Sequence, residues 1–119
     1  MPRKDLEYVG GCKRDLSKFP EDVQEIVAFA LLEAMDGHKH HDAKPLTGFG
    51  GAGVLEVPVS FKGDAYRVVY TVDFPGMVYV LHAFKKKSTR GIETPKKDMV
   101  LIRKRLKNAA VLHARRDPA

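Results

Sequence analysis

The chain reads as one α+β domain. A small antiparallel sheet, built from an N-terminal strand and a three-stranded meander, is expected to pack against helices and to be followed by a C-terminal helix. Three observations carry this reading. Residues 54–84 hold three runs rich in Val, Tyr and Phe, joined by links too short for parallel crossovers. Residues 20–36 place apolar side chains at the i, i+3, i+4, i+7, i+8 spacing of one helical face. At 119 residues the chain has room for one core of ordinary size, and no second domain is expected.

Asp5 to Gly11 alternates apolar residues at Leu6 and Tyr8 and stops at a glycine pair, which suits a first strand. Cys12 to Phe19 follows as a helical turn. Pro20 fits the first turn of the next helix, where its missing N–H matters least, and Glu21 and Asp22 set negative charge at the positive end of its dipole. Val23, Ile26, Val27, Ala30, Leu31 and Ala34 form its core stripe, and Gly37 ends it in the left-handed conformation.

The meander comes next. Val54 to Phe61 is a strand with Pro58 inside it, so it belongs at an edge or carries a bulge. Lys62-Gly63-Asp64 turns the chain into residues 65–72, and Asp73-Phe74-Pro75-Gly76 turns it again into residues 77–84. Thr94 is read as the N-cap of the last helix, with Pro95 at its first position and Asp98 in its first turn. Met99, Ile102, Leu106 and Ala109 give that helix an apolar side, and the tail from His113 frays.

The formal charge is +6, and it is uneven: residues 85–119 hold 12 of the 21 Lys and Arg but three of the 15 acidic residues. An anionic partner is expected, nucleic acid before a membrane surface or an acidic protein segment. One cysteine, Cys12, excludes an internal disulfide and a Cys-rich zinc site. No apolar run is long enough to span a membrane, and the N-terminus lacks the apolar core of a signal peptide, so a cytoplasmic location is expected.

Two other stretches invite a ligand reading. His38, His40 and His41 are close in sequence, but no carboxylate stands at a supporting helical spacing and Lys39 opposes a cation, so no metal is expected. Leu46 to Gly53 is rich in glycine, yet it lacks the Gly-Lys-Ser/Thr ending of a phosphate-binding loop, and backbone freedom explains it better.

Alternation along the second and third meander strands places Ala65, Arg67, Val69 and Thr71 on one face. It groups Val78, Val80, His82 and Phe84 on one face of the next strand, which then runs into Lys85, Lys86, Lys87 and Arg90. A guanidinium in mid-strand beside a lysine-rich strand end suits a phosphodiester. An exposed arginine on a solvated face, with lysines that blunt a strand end, is the plainer alternative.

Three stretches carry a family resemblance. They are Lys44-Pro45-Leu46-Thr47-Gly48-Phe49-Gly50-Gly51, Asp64-Ala65-Tyr66-Arg67-Val68-Val69-Tyr70, and Val78 to Lys87 followed by Thr94-Pro95-Lys96-Lys97-Asp98. Together they resemble the HigB-like, phage-related branch of the RelE/ParE toxin superfamily. The resemblance implies a RelE/ParE-like fold and a toxin that cleaves messenger RNA on the ribosome without metal or other cofactor. It also implies a cognate antitoxin, often with a helix-turn-helix DNA-binding domain. ParE-type relatives share the fold and instead inhibit DNA gyrase, so both targets stay open.

Under that resemblance Arg67 falls on the strand arginine that contacts the scissile phosphate, and Lys85, Lys86 and Lys87 fall on the basic segment after the last strand. Arg90, Lys96 and Lys97 extend the RNA-binding surface. Where many relatives carry a further basic residue in the preceding strand, this chain has Leu55-Glu56-Val57. Metal-free cleavage needs the 2′-hydroxyl deprotonated, the phosphorane stabilised and the 5′-oxygen protonated. Arg67 suits the second task. His82, or a lysine of the cluster with its pKa lowered by neighbouring charge, is the candidate for proton transfer, although His82 reads more readily as a core or sheet-face histidine. Tyr66 and Tyr70, on the opposite face, are read as core.

Overall fold

The computed structural model describes residues 2–51, 53–86 and 94–116. Its elements run β1 (Asp5–Tyr8), α1 (Cys12–Ser17), α2 (Glu21–Met35), β2 (Lys44–Pro45), β3 (Val54–Phe61), β4 (Asp64–Thr71), β5 (Met77–Lys86) and α3 (Lys96–Ala114). They form one five-stranded sheet in the order β1-β5-β4-β3-β2.

The meander is antiparallel throughout. Lys62 and Gly63 both have positive φ, 50° and 84°, the conformation of a two-residue hairpin turn whose twist matches the flanking strands. The sheet as a whole is mixed, because β1 runs parallel to β5, Leu6 opposite Val78. The long excursion through α1, α2, β3 and β4 separates these two strands and removes the short-link constraint that makes the meander antiparallel. The two-residue β2 pairs with Leu55 and Glu56 and was not foreseen. It stops short of Pro58, which leaves that part of β3 an edge, the setting a strand proline needs.

Each sheet face carries one core. Val57, Val68, Tyr70, Val78 and Val80 meet α1 and α2 through Cys12, Leu16, Val23, Val27, Ala30 and Leu31. Val54, Val69, Tyr79 and Leu81 meet Ile102 and Ala109 of α3. Tyr66 and Tyr70 both lie in the α2-side core. Ile26 departs from the expected helical stripe and is 41% exposed. At 100° per residue it stands about 90° from the centre of the arc formed by Val23, Val27, Ala30, Leu31 and Ala34, too far round to reach the sheet.

Helix ends also differ from the sequence expectation. Pro20 and Pro95 are the N-caps of α2 and α3, and neither helix has a side-chain cap. Thr94 instead donates its hydroxyl to Glu56 Oε2 at 3.3 Å. The helix at residues 96–114 extends past His113, the point at which fraying was expected. Gly37 ends α2 with φ 85°.

Candidate functional site

Arg67 and Glu56 form the centre of the α3-facing side of the sheet. Tyr66 and Val68 point into the α2-side core, so Arg67, between them on β4, points the other way. Glu56 lies opposite Val69 on β3, diagonal to Arg67, and its Oε1 accepts from Arg67 Nη1 at 2.9 Å. The pair is buried, with side-chain exposures of 9% for Arg67 and 2% for Glu56. A carboxylate enclosed to this degree requires a cation, and this guanidinium supplies it. The strand arginine is therefore neither an exposed side chain nor part of a purely cationic floor: it is one half of a buried ion pair.

A groove of about 550 Å³ runs beside this pair, lined by Lys44, Leu46, Thr47, Glu56, Thr94 and Met99. One wall is β2 and the start of the glycine-rich loop; the other is the beginning of α3. Arg103 of α3 clasps the loop by donating to the Gly48 carbonyl at 3.3 Å and lying over the Phe49 ring. Gly53 closes the loop where a Cβ would overlap Asp73, so close backbone approach, in place of phosphate binding, accounts for that glycine.

His82 reaches the same sheet side through a bulge. The β4–β5 register pairs Val69 with His82 and Tyr70 with Val80, skipping Leu81. The extra residue breaks the alternation, so His82 leaves the side of Val78 and Val80, where simple alternation had placed it, and turns to α3. Its Nε2 lies 2.8 Å from Asp98 Oδ1, and Arg105 Nη1 lies 3.2 Å from its Nδ1. An arginine can only donate, so Nδ1 is the acceptor and Nε2 carries the proton given to Asp98. Both imidazole nitrogens are thus engaged in fastening α3 to the sheet. Arg105 also donates to the Leu81 carbonyl and packs against Gly10, where a Cβ would come within 2.8 Å of its Nε.

The lysine cluster divides. Lys86 is buried on the α3 side of the sheet, opposite Ala65 on β4, and Lys85 points to the other side, over the Tyr66 ring. Lys85 Nζ is 3.1 Å from Asp64 Oδ2, and the hydrogen bond and charge of Asp64 raise its pKa. That shift is opposite to the lowering a lysine base requires. Lys96 and Lys97 are exposed in the first turn of α3, next to Thr94 at the groove. Lys87 and Arg90 lie outside the described residues.

The histidine loop brings His40, His41 and Asp42 within metal-ligand reach of one another. His40 Nδ1 already accepts from the Asp42 backbone N–H at 3.1 Å, so its other nitrogen carries the proton in the neutral ring. Ligation by His40 would have to break that turn. Cys12 is fully buried, donates to the Val80 carbonyl at 3.1 Å, and has a pKa raised by burial, which marks it as a core thiol.

Sequence reasoning missed Glu56 as Arg67's partner. An acidic residue in an otherwise apolar strand was the available signal, but only the register shows which cation it meets.

No helix among the described residues is long and apolar enough to cross a membrane. Among curated proteins none matches the chain. Among solved structures, a double mutant of the E. coli toxin RelE in its free state matches with a TM-score of 0.59 and 16% identity, covering 89% of this chain and 97% of that one. The toxin–antitoxin complex RelBE2 from Mycobacterium tuberculosis matches with a TM-score of 0.49 and 21% identity, covering 74% of this chain and 97% of that one. The first likeness establishes a RelE-like fold. The phage derived, Gp49-like protein family matches residues 14–107, which is most of the chain, and the chain belongs to that family.

Proposed function

We propose that the chain is the toxin component of a type II toxin–antitoxin system and acts as a ribosome-dependent, metal-free messenger RNA endoribonuclease. The observation that carries this reading is the buried Glu56–Arg67 pair, whose Glu56 lines the groove between β2 and the start of α3. In the reaction the ribose 2′-oxygen attacks phosphorus as its proton is removed, the bond from phosphorus to the 5′-oxygen breaks, and the leaving oxygen takes a proton from water, so that a 2′,3′-cyclic phosphate and a 5′-hydroxyl result. Arg67, always charged and fixed in orientation by Glu56, stabilises the phosphorane that forms between these states. Glu56 lines the groove and in this reading takes the 2′-hydroxyl proton, exchanging its contact with Thr94 for one with the substrate. Lys96 and Lys97, with Lys87 and Arg90, hold the RNA backbone, and Lys86, buried on the same side of the sheet as Arg67, adds positive charge. His82 acts through α3, and Lys85, kept charged by Asp64, contributes charge only.

A toxin needs a silencing partner, so an antitoxin, in the simplest case with a helix-turn-helix domain, is part of the proposal, as is a cytoplasmic place of action. Primer-extension mapping of messenger RNA after induction tests the reaction. New RNA ends should appear with the natural chain, vanish with Arg67→Ala and be strongly reduced with Arg67→Lys. Growth arrest that persists in both variants without new ends, accompanied by supercoiling defects, would replace this reading with gyrase inhibition.

A further inference from the structure

The outer face of α2 is apolar and acidic in a chain that is otherwise basic. Ile26, Phe29 and Leu32 are 41%, 57% and 44% exposed, and among the described residues Val100, Val111 and Leu112 of α3, spread over a longer stretch of helix, form the other such group. Spaced three residues apart, the α2 side chains make a stripe about 9 Å long. Glu21, Asp22 and Glu25 stand exposed beside it, and the helix contains no Lys or Arg although the chain has 21. A solvated helix face has no need of a phenylalanine more than half exposed, and a stripe of this kind marks a contact surface.

The charge selects the occupant. Nucleic acid and an anionic bilayer are both repelled by the carboxylates. A second copy packed α2 against α2 would set acidic side chains against acidic side chains. A second copy presenting α3, whose exposed Lys104 and Lys107 lie between Val100 and Val111, meets the charge. However, α2 and α3 cover opposite faces of the sheet, so that contact is heterologous and builds rings or open chains in place of a two-fold dimer. What remains is an amphipathic helix with an apolar stripe and flanking Lys or Arg.

We infer that the outer face of α2, centred on Phe29, is a docking site for a basic amphipathic helix of a partner protein. The apolar stripe supplies affinity, and the carboxylates supply orientation and discrimination against acidic helices. The site lies on the sheet side opposite Arg67, so a helix seated there leaves the groove open. It is independent of the proposed cleavage reaction, and either can fail alone.

The test uses the full chain and a fluorescein-labelled peptide of about three heptads, with Leu at the a, d and e positions and Lys elsewhere. A matched peptide carrying Glu in place of every Lys is the control. The lysine peptide should bind, with amide shifts concentrated at Ile26, Phe29 and Leu32. Phe29→Lys and Glu25→Lys should each weaken binding about tenfold or more. Both positions are exposed, so neither variant threatens the fold. Equal binding of the glutamate peptide, shifts elsewhere on the chain, or unchanged affinity in Phe29→Lys would overturn the inference. Concentration-dependent self-association that Phe29→Lys abolishes would also overturn it, in favour of a second copy.

Discussion

Glu56 Oε1 and Arg67 Nη1 lie 2.9 Å apart with both side chains buried, so the arginine of β4 is matched by the glutamate of β3 beside it. Burying two charges costs more than an isolated contact returns, and the pair tolerates loss of both partners better than loss of one. Glu56→Ala should cost about 3–5 kcal/mol by breaking the buried pair. The double variant Glu56→Leu/Arg67→Met should recover most of that loss. Urea unfolding of the two single variants and the double variant measures it, and additive losses would show that the two side chains do not act as a pair.

His82 and Asp98 join β5 to α3 through one hydrogen bond of 2.8 Å. Because Arg105 fixes the proton on Nε2, Asp98 serves as an acceptor, a role the carbonyl of asparagine can fill. Asp98→Ala should therefore cost about 1–3 kcal/mol and Asp98→Asn clearly less. Equal losses would mean that the negative charge, not the hydrogen bond, holds the helix.

Tyr70 is fully enclosed, and its hydroxyl has no partner among the described residues. Burial, with the nearby charge of Glu33, pushes its pKa up to about 12. Between pH 10 and 12 the unfolded chain gives up this proton while the folded chain keeps it, so the folded state loses ground as pH rises through that window. Tyr70→Phe should leave stability at pH 7 unchanged or raised by up to about 1 kcal/mol and should flatten the alkaline decline. Unfolding curves collected at pH 9, 10 and 11 decide it; a decline of the same slope in Tyr70→Phe would assign it to other groups.

Much of this architecture is legible in the sequence because the deciding forces are local. Lys62-Gly63 and Pro75-Gly76 announce the two turns, and alternation correctly places Arg67 opposite Tyr66 and Val68. The mixed character of the sheet is not legible, since nothing within Asp5–Tyr8 says which strand it will meet. The bulge at Leu81 is equally silent: the run from Met77 to Phe84 is apolar on both faces, so inserting one residue leaves no trace in the pattern. That silence misplaced His82. The partner of Arg67 was hidden for a related reason, because Glu56 is assigned to it only by the β3–β4 register.

The central claim is that Arg67 stabilises the transition state of RNA cleavage, and the most direct measurement is a single-turnover cleavage rate on ribosomes programmed with a defined message. Arg67→Ala, Arg67→Lys and the natural chain would be compared at equal folded concentration, checked by circular dichroism. If the guanidinium grips the phosphorane, Arg67→Ala loses on the order of 10² or more in rate, and Arg67→Lys restores only part of it because a point charge replaces a two-pronged contact. Cleavage by folded Arg67→Ala at the natural rate would contradict the claim.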